Sequence, residues 1–130
     1  MTFEICTDHL HGAIAAQKFG AKRIELCSAL EVGGLTPSFG LVQECALVPF
    51  IEVHVMIRHR QGNFCYDKRD IAIMLADIEA AKKAGAHGVV FGCLSDDNSL
   101  DIFNTRILFN RAKQLDLKVT FHRAFDLCTN

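Results

Sequence analysis

Residues 50–60, FIEVHVMIRHR, alternate strictly between aliphatic and polar side chains, and this pattern constrains the fold more than any other part of the chain. Side chains of a β-strand point to opposite faces with a period of two, so this segment has one aliphatic face and one polar face. The polar face must meet water, a cavity or a site. The aliphatic face holds Val53, Val55 and Ile57, and the polar face holds Glu52, His54, Met56 and Arg58.

Predicted strands and helices alternate along the whole chain. We predict strands over residues 3–6, 23–27, 50–57, 88–94 and 118–122, and helices over residues 8–19, 38–47, 67–84 and 100–115. Asp8 is the expected N-cap of the first helix, and Gly20 its expected stop. Residues 15–26 (AAQKFGAKRIEL) resemble residues 80–91 (AAKKAGAHGVVF), which indicates one supersecondary unit used twice. Such alternation is typical of a parallel sheet built from βαβ units.

The polar faces of the predicted strands decide which parallel architecture we expect. A doubly wound open sheet is covered by helices on both sides and is apolar on both faces. Here one face of several strands is polar, which favours a TIM (β/α)8-type barrel with a site in its lumen. Because such barrels normally need about 200 residues or more, we interpret residues 1–130 as a single partial barrel domain of the α/β class, holding about the first four and a half βα units. The pairs that share a polar face are Glu4 and Cys6, Glu25 and Cys27, and Thr120 and His122.

Composition excludes some classes of function. With 14 basic and 15 acidic residues the formal net charge is −1, which argues against electrostatic binding to nucleic acid. The sequence shows no basic-plus-apolar leader and no apolar run of membrane-spanning length, so we expect a cytoplasmic protein, with the nucleus as a second location, that binds no membrane. The six cysteines have no CxxC spacing and are expected to be free thiols.

Four segments of the chain carry a resemblance to a known family. Residues 24–40 (IELCSALEVGGLTPSFG), 53–67 (VHVMIRHRQGNFCYD), 85–94 (GAHGVVFGCL) and 120–126 (TFHRAFD) resemble the CutC-type copper homeostasis proteins. The resemblance implies a TIM barrel of roughly twice this length and a role in copper handling in the cytoplasm. It covers nearly the whole chain, with departures at Val32, His59 and Asn63 in the loops after the second and third strands.

Cys6 and Cys27 are the candidate copper ligands. They end neighbouring predicted strands on the polar face, and adjacent strands lie about 4.8 Å apart, so two thiols there could reach one ion. Thiolates suit Cu(I), and the resemblance implies copper at these positions. The alternative is that both are reduced cysteines in a tight lumen. His54 and Met56 could add imidazole and thioether donors, or could fill space.

Four residues are candidates for acid–base catalysis, and three for anion binding. Buried carboxylates of the lumen could act as a general acid or base, or could form a charge network between strands. Guanidinium groups at the carboxyl ends of barrel strands could hold an anionic substrate. The catalytic candidates are Glu4, Glu25, His54 and His122, and the anion-binding candidates are Arg58, Arg123 and Asp126.

Three hypotheses for function follow. The first is a cytosolic copper homeostasis protein that binds Cu(I) at the carboxyl-terminal mouth of the barrel. The second is a barrel enzyme that acts on a small anionic substrate by acid–base chemistry, and the third is an inactive, truncated isoform. The expected partners are a copper ion and a small anion, together with further copies of the chain, because half of the residues are hydrophobic and a partial barrel has open strand edges.

Overall fold

The computed structural model describes residues 1–129 and has five strands in one parallel sheet, in the order β1-β2-β3-β4-β5. The strand order follows the chain without the reversal that marks a doubly wound sheet. This arrangement confirms the α/β fold and the partial TIM-barrel architecture. The strands are β1 (Glu4–Thr7), β2 (Arg23–Leu26), β3 (Glu52–Met56), β4 (Gly88–Phe91) and β5 (Lys118–Phe121), and the helices are α1 (Leu10–Lys18), α2 (Phe39–Ala46), α3 (Lys68–Ala84) and α4 (Ile102–Gln114).

The core lies between the sheet and its helices. The aliphatic face of each central strand is buried in one apolar cluster, to which α3 contributes Ile71, Met74 and Ile78. The helices pack as neighbours in chain order, α1 on α2, α2 on α3 and α3 on α4. All the large apolar groups of β2, β3 and β4 in that cluster point away from the polar face, which is therefore left as the concave side of the sheet. The strand residues of the cluster are Ile24, Leu26, Val53, Val55, Val89 and Phe91.

Local chemistry explains where most of the helices begin and end. Helix α3 begins with a capping box in which Asp67 accepts from the backbone of Asp70 and the Asp70 side chain accepts from the backbone of Asp67. It stops at Gly85, whose φ of 105° favours glycine. Gly20 has a φ of 91° just after α1, as expected. Within residues 1–129, no helix combines the length and apolarity needed to cross a membrane.

The N-cap predicted for the first helix is wrong. His9, not Asp8, has the extended backbone of the N-cap of α1, and its side chain makes no capping bond. The Asp8 carboxylate instead lies 2.9 Å from His9 Nδ1. Two 3₁₀ helices, Leu30–Val32 and Arg123–Leu127, were not predicted and follow β2 and β5.

Large apolar side chains are exposed on or next to the first and last helices, α1 and α4. Phe19, just after α1, is 86% exposed, and Phe103 of α4 is 75% exposed. In the described part of the chain, β1 and β5 each have a neighbour on one side only. An unpaired strand edge and exposed apolar surface both favour association with another chain.

We expect the 130-residue polypeptide to self-associate through these edges. Light scattering coupled to size-exclusion chromatography should give a mass above the 14.4 kDa of one chain. The double substitution Phe19→Ser/Phe103→Ser should shift the population toward monomer. Leu47→Ser, which removes an exposed apolar group at the end of the central helix α2, should not. A monodisperse wild-type monomer with a cooperative thermal transition would contradict the expectation.

Candidate functional site

The amino-terminal end of the concave face holds paired charges. Arg23 Nε donates to Glu4, and Lys118 Nζ donates to Glu52 at 2.7 Å. The hydrogen bond from Lys118, followed by that from His54, lowers the pKa of Glu52 to about 2. These ion pairs match the charge network between strands, which was the alternative to catalysis in the interpretation of Glu4. The catalytic assignment of Glu4 stays a prediction.

His54 lies in the next row of side chains and is fully buried. Its Nε2 is 3.0 Å from Glu52 Oε2, and its Nδ1 has no partner among residues 1–129. The ring covers Gly88 on the neighbouring strand, where a Cβ atom would lie 2.5 Å from Nδ1. Burial lowers the pKa of His54, so the ring is held neutral. The structure does not bring His54 to the carboxyl-terminal mouth, and its catalytic role stays a prediction.

A cavity of about 340 Å³, here called the mouth pocket, opens at the carboxyl-terminal end of the concave face. This is the end at which TIM barrels place their chemistry. Side chains of β1, β2 and β3, the loops after β2 and β3, and the end of β5 line it. Those used below are Cys6, Glu25, Cys27, Arg58, Phe64 and His122.

Two thiols and a carboxylate meet on one side of the mouth pocket. Cys6 Sγ lies 3.9 Å from Cys27 Sγ, and Cys27 Sγ lies 3.9 Å from Glu25 Oε1. One ligand atom from each of the three residues falls within 4.8 Å of the other two. The strand register pairs Cys6 with Glu25 rather than with Cys27, so the thiols meet diagonally and not from equivalent strand positions. Sequence reasoning missed Glu25 as a member, although its spacing of two from Cys27 puts both on one strand face.

Burial sets the protonation of this thiol–carboxylate cluster. Desolvation raises the pKa of the Cys27 thiol, and the neighbouring Cys6 and Glu25 raise it further. Desolvation also raises the pKa of Cys6 and of the Glu25 carboxyl. At neutral pH both thiols therefore keep their protons, and any cation that binds must displace them.

Arg58 also lines the pocket and is only 6% exposed. Its Nη1 donates to the carbonyls of Val32 at 2.7 Å and Gly34 at 3.0 Å, and its Nη2 donates to the carbonyl of Gly62 at 3.0 Å. The guanidinium thereby ties the loop after β2 to the loop after β3. Its Nε is buried and has no partner among residues 1–129.

His122 ends β5 beside Arg58. Its Nδ1 accepts from the backbone N–H of Ala124 at 3.1 Å, and its Nε2 is buried without a partner in the described chain. Burial, followed by the charge of Arg58, lowers the pKa of His122 to about 4. The centroid of the Phe64 ring lies 5.0 Å from the centroid of the His122 ring and 5.2 Å from Arg58 Cζ.

The other two anion-binding candidates pair with each other, and Arg123 also lines the mouth pocket. Arg123 Nε donates to Asp126 Oδ2 at 3.0 Å, and the Arg123 side chain is 94% exposed. The structure thus buries Arg58 and leaves Arg123 as an exposed lining residue of the pocket, paired with Asp126. Anion binding by Arg123 and Asp126 stays a prediction.

Comparison with known proteins identifies the family. A family model described as the CutC family matches residues 1–130. The chain belongs to the CutC family. The CutC family protein of Vibrio atlanticus (strain LGP32) is 50% identical over 123 residues, which are 95% of this chain and 50% of the relative. That of Aliivibrio fischeri (strain MJ11) is 51% identical over 127 residues, 98% of this chain and 51% of the relative.

A solved structure of the family has the same fold. The crystal structure of a protein assigned to copper homeostasis, CutC from Streptococcus agalactiae, matches with a TM-score of 0.90 and 34% identity. The match covers 98% of this chain and 61% of the other. Our chain spans about half the length of the curated CutC relatives that it matches.

Gly88→Ala should destabilise the fold, because the new methyl group would collide with the ring of His54. Overpacking of a dense core typically costs about 1–3 kcal/mol, which denaturant unfolding should detect. The control is Gly40→Ala in α2, where nothing lies within 4 Å of a Cβ. That substitution should leave stability unchanged or raise it by up to about 1 kcal/mol. Equal stability of the two variants would show that His54 does not pack on Gly88.

Stability should fall as the pH drops from about 6.5 to 4, in part because of His122. The unfolded chain binds a proton on this ring near pH 6.5, whereas the folded chain resists it until about pH 4. This difference in pKa contributes about 3 kcal/mol to the free energy of unfolding above pH 6.5, and the contribution is lost as the pH falls to about 4. His122→Asn should remove this part of the pH dependence of the unfolding free energy. Glu25, with a raised pKa, contributes in the opposite direction and is common to both proteins. Parallel pH profiles for the two proteins would contradict the shift.

Proposed function

We propose that the chain serves copper homeostasis by binding Cu(I) through the thiolates of Cys6 and Cys27, with Glu25 as a third ligand. The supporting observation is the 3.9 Å separation of the two sulfur atoms inside the mouth pocket. The family name of the relatives and the copper homeostasis assignment of the Streptococcus protein support the choice of metal.

The donor set fits a soft monovalent ion. Thiolates bind Cu(I) well, whereas carboxylate alone favours hard cations. A metal–thiolate bond is about 2.3 Å long for zinc, so two sulfur atoms on one such ion lie at most about 4.6 Å apart. The observed sulfur–sulfur distance is within this limit. Zinc accepts the same ligands, so it is the competing ion that an experiment must include.

The state of the cysteines supports a cytoplasmic location. Cys6, Cys27, Cys45, Cys65 and Cys93 are present as thiols, the form that a reducing compartment maintains. We therefore propose the cytoplasm, with the nucleus as a second location.

The Cys6→Ser/Cys27→Ser variant should lose Cu(I) affinity by at least a hundredfold in competition with a chromophoric Cu(I) chelator. Cys65→Ser/Cys128→Ser removes two thiols outside the cluster and should bind like the wild type. Glu25→Gln should weaken binding less than loss of the thiols. A parallel titration with Zn²⁺ shows which ion the site prefers. Equal Cu(I) affinity of the wild type and the Cys6→Ser/Cys27→Ser variant would refute the proposal.

Cu(I) affinity should also rise with pH. Both thiols are protonated at neutral pH because burial raises each pKa, so binding of the ion releases two protons. The apparent association constant, corrected for the chelator, should increase about a hundredfold per pH unit between pH 6 and 8. A pH-independent constant would mean that the bound ion is not held by these thiols.

A further inference from the structure

Two buried N–H groups of the mouth pocket lack an acceptor within residues 1–129. The first is Arg58 Nε. The second is Nε2 of His122: because Nδ1 accepts the N–H of Ala124, the neutral ring carries its own hydrogen on Nε2. Both orphaned atoms are therefore hydrogen-bond donors. His122 Nε2 in this tautomer cannot be a metal ligand, since its lone pair is replaced by a proton.

Orphaned donors of this kind are rare and costly. The large majority of buried polar side-chain atoms in folded proteins have a partner, and an unsatisfied one costs about 1–3 kcal/mol. Here two of them belong to residues that line one cavity and that contact the same Phe64 ring. Their coincidence points to an acceptor that binds between them.

The Arg58 guanidinium is also held in place and has no counter-ion among residues 1–129. Its three donor bonds to the carbonyls of Val32, Gly34 and Gly62 hold the guanidinium in place. Among residues 1–129 no carboxylate pairs with it, although the other ion pairs of the concave face are complete. A buried cation normally has a counter-ion. The missing acceptor is therefore expected to be negatively charged, which indicates an oxyanion.

Phe64 is a neighbour that the two donor side chains share. Both nitrogen atoms are shielded from solvent, and the Phe64 ring lies against both side chains. The Phe64 backbone is anchored by the hydrogen bond from Leu94 N to its carbonyl at 2.9 Å, so only its side chain needs to turn.

We propose that the mouth pocket binds a small oxyanion, a phosphate or a carboxylate, on Arg58 Nε and His122 Nε2 once the Phe64 ring has turned aside. This site uses none of the residues of the thiol–carboxylate cluster and needs no bound copper. Of the residues expected from the sequence to bind an anion or to act in catalysis, it uses Arg58 and His122, while Arg123 and Asp126 pair with each other.

Isothermal titration with inorganic phosphate and, separately, with acetate tests the proposal and distinguishes the two oxyanions. Saturable binding of at least one probe is expected. His122→Asn keeps an oxygen that can accept the N–H of Ala124 but loses the Nε2 donor, so it should weaken binding at least tenfold. His11→Asn on the exposed side of α1 is the matched control and should bind like the wild type. Phe64→Ala, which removes the cover, should bind the anion at least as tightly as the wild type, and faster.

A second measurement keeps the test independent of any loss of folding in the variants. Nitrogen-15 NMR of the histidine rings should show His122 protonated on Nε2 at neutral pH. The resonance of that hydrogen should shift when phosphate or acetate, whichever binds in the titration, is added. The Cys6→Ser/Cys27→Ser variant should retain anion binding, so failure of the copper proposal would leave this result unchanged. No saturable binding of either probe, a His122 ring protonated on Nδ1, or a loss of binding on Arg123→Gln without loss on His122→Asn would overturn the proposal.

Discussion

Backbone hydrogen bonding between the parallel strands is the constraint on which the rest of the structure depends. The register pairs Cys6 with Glu25, Glu25 with His54 and His54 with Gly88, so alternate residues form rows across the concave face. A slip of one residue in any strand would turn its polar residues into the aliphatic core. The same register that buries the aliphatic side chains therefore brings the thiols, carboxylates and imidazoles together.

The mouth pocket has two chemically opposite sides. On one side the thiols of Cys6 and Cys27 carry their protons, burial raises the pKa of the Glu25 carboxyl beside them, and the loss of protons makes this side more negative. Arg58 and His122 form a side rich in hydrogen-bond donors. A cation and an anion could occupy one cavity with their charges partly cancelled. In that case each ligand lowers the electrostatic cost of binding the other, and the two affinities are coupled reciprocally.

The period of two in residues 50–60 was enough to predict the faces of β3, and the same reasoning placed Glu4, Glu25 and His122 on the polar side. The proximity of Cys6 and Cys27 was also predictable, since neighbouring parallel strands end together. What the sequence could not supply depends on loop conformation and rotamers. The three carbonyls that hold Arg58 come from two loops with glycines at positive φ, Gly33, Gly34 and Gly62. The tautomer of His122 depends on a 3₁₀ turn that no periodic pattern indicated, and the N-cap at His9 depends on backbone angles rather than on residue preference.

The two cysteines of the cluster differ in how firmly the surrounding structure holds them. Cys27 is buried at the end of β2, which has a strand on each side, and the Gly34 loop closes over its sulfur atom. Cys6 is exposed on β1, which has one neighbour in the described chain. Local opening favours such outer strands over central ones. An ion bound by both thiolates would therefore dissociate from Cys6 first, while it remains bound to Cys27. The lifetime of the bound ion would then be governed by the motion of one edge strand, and any chain that packs against β1 would lengthen it.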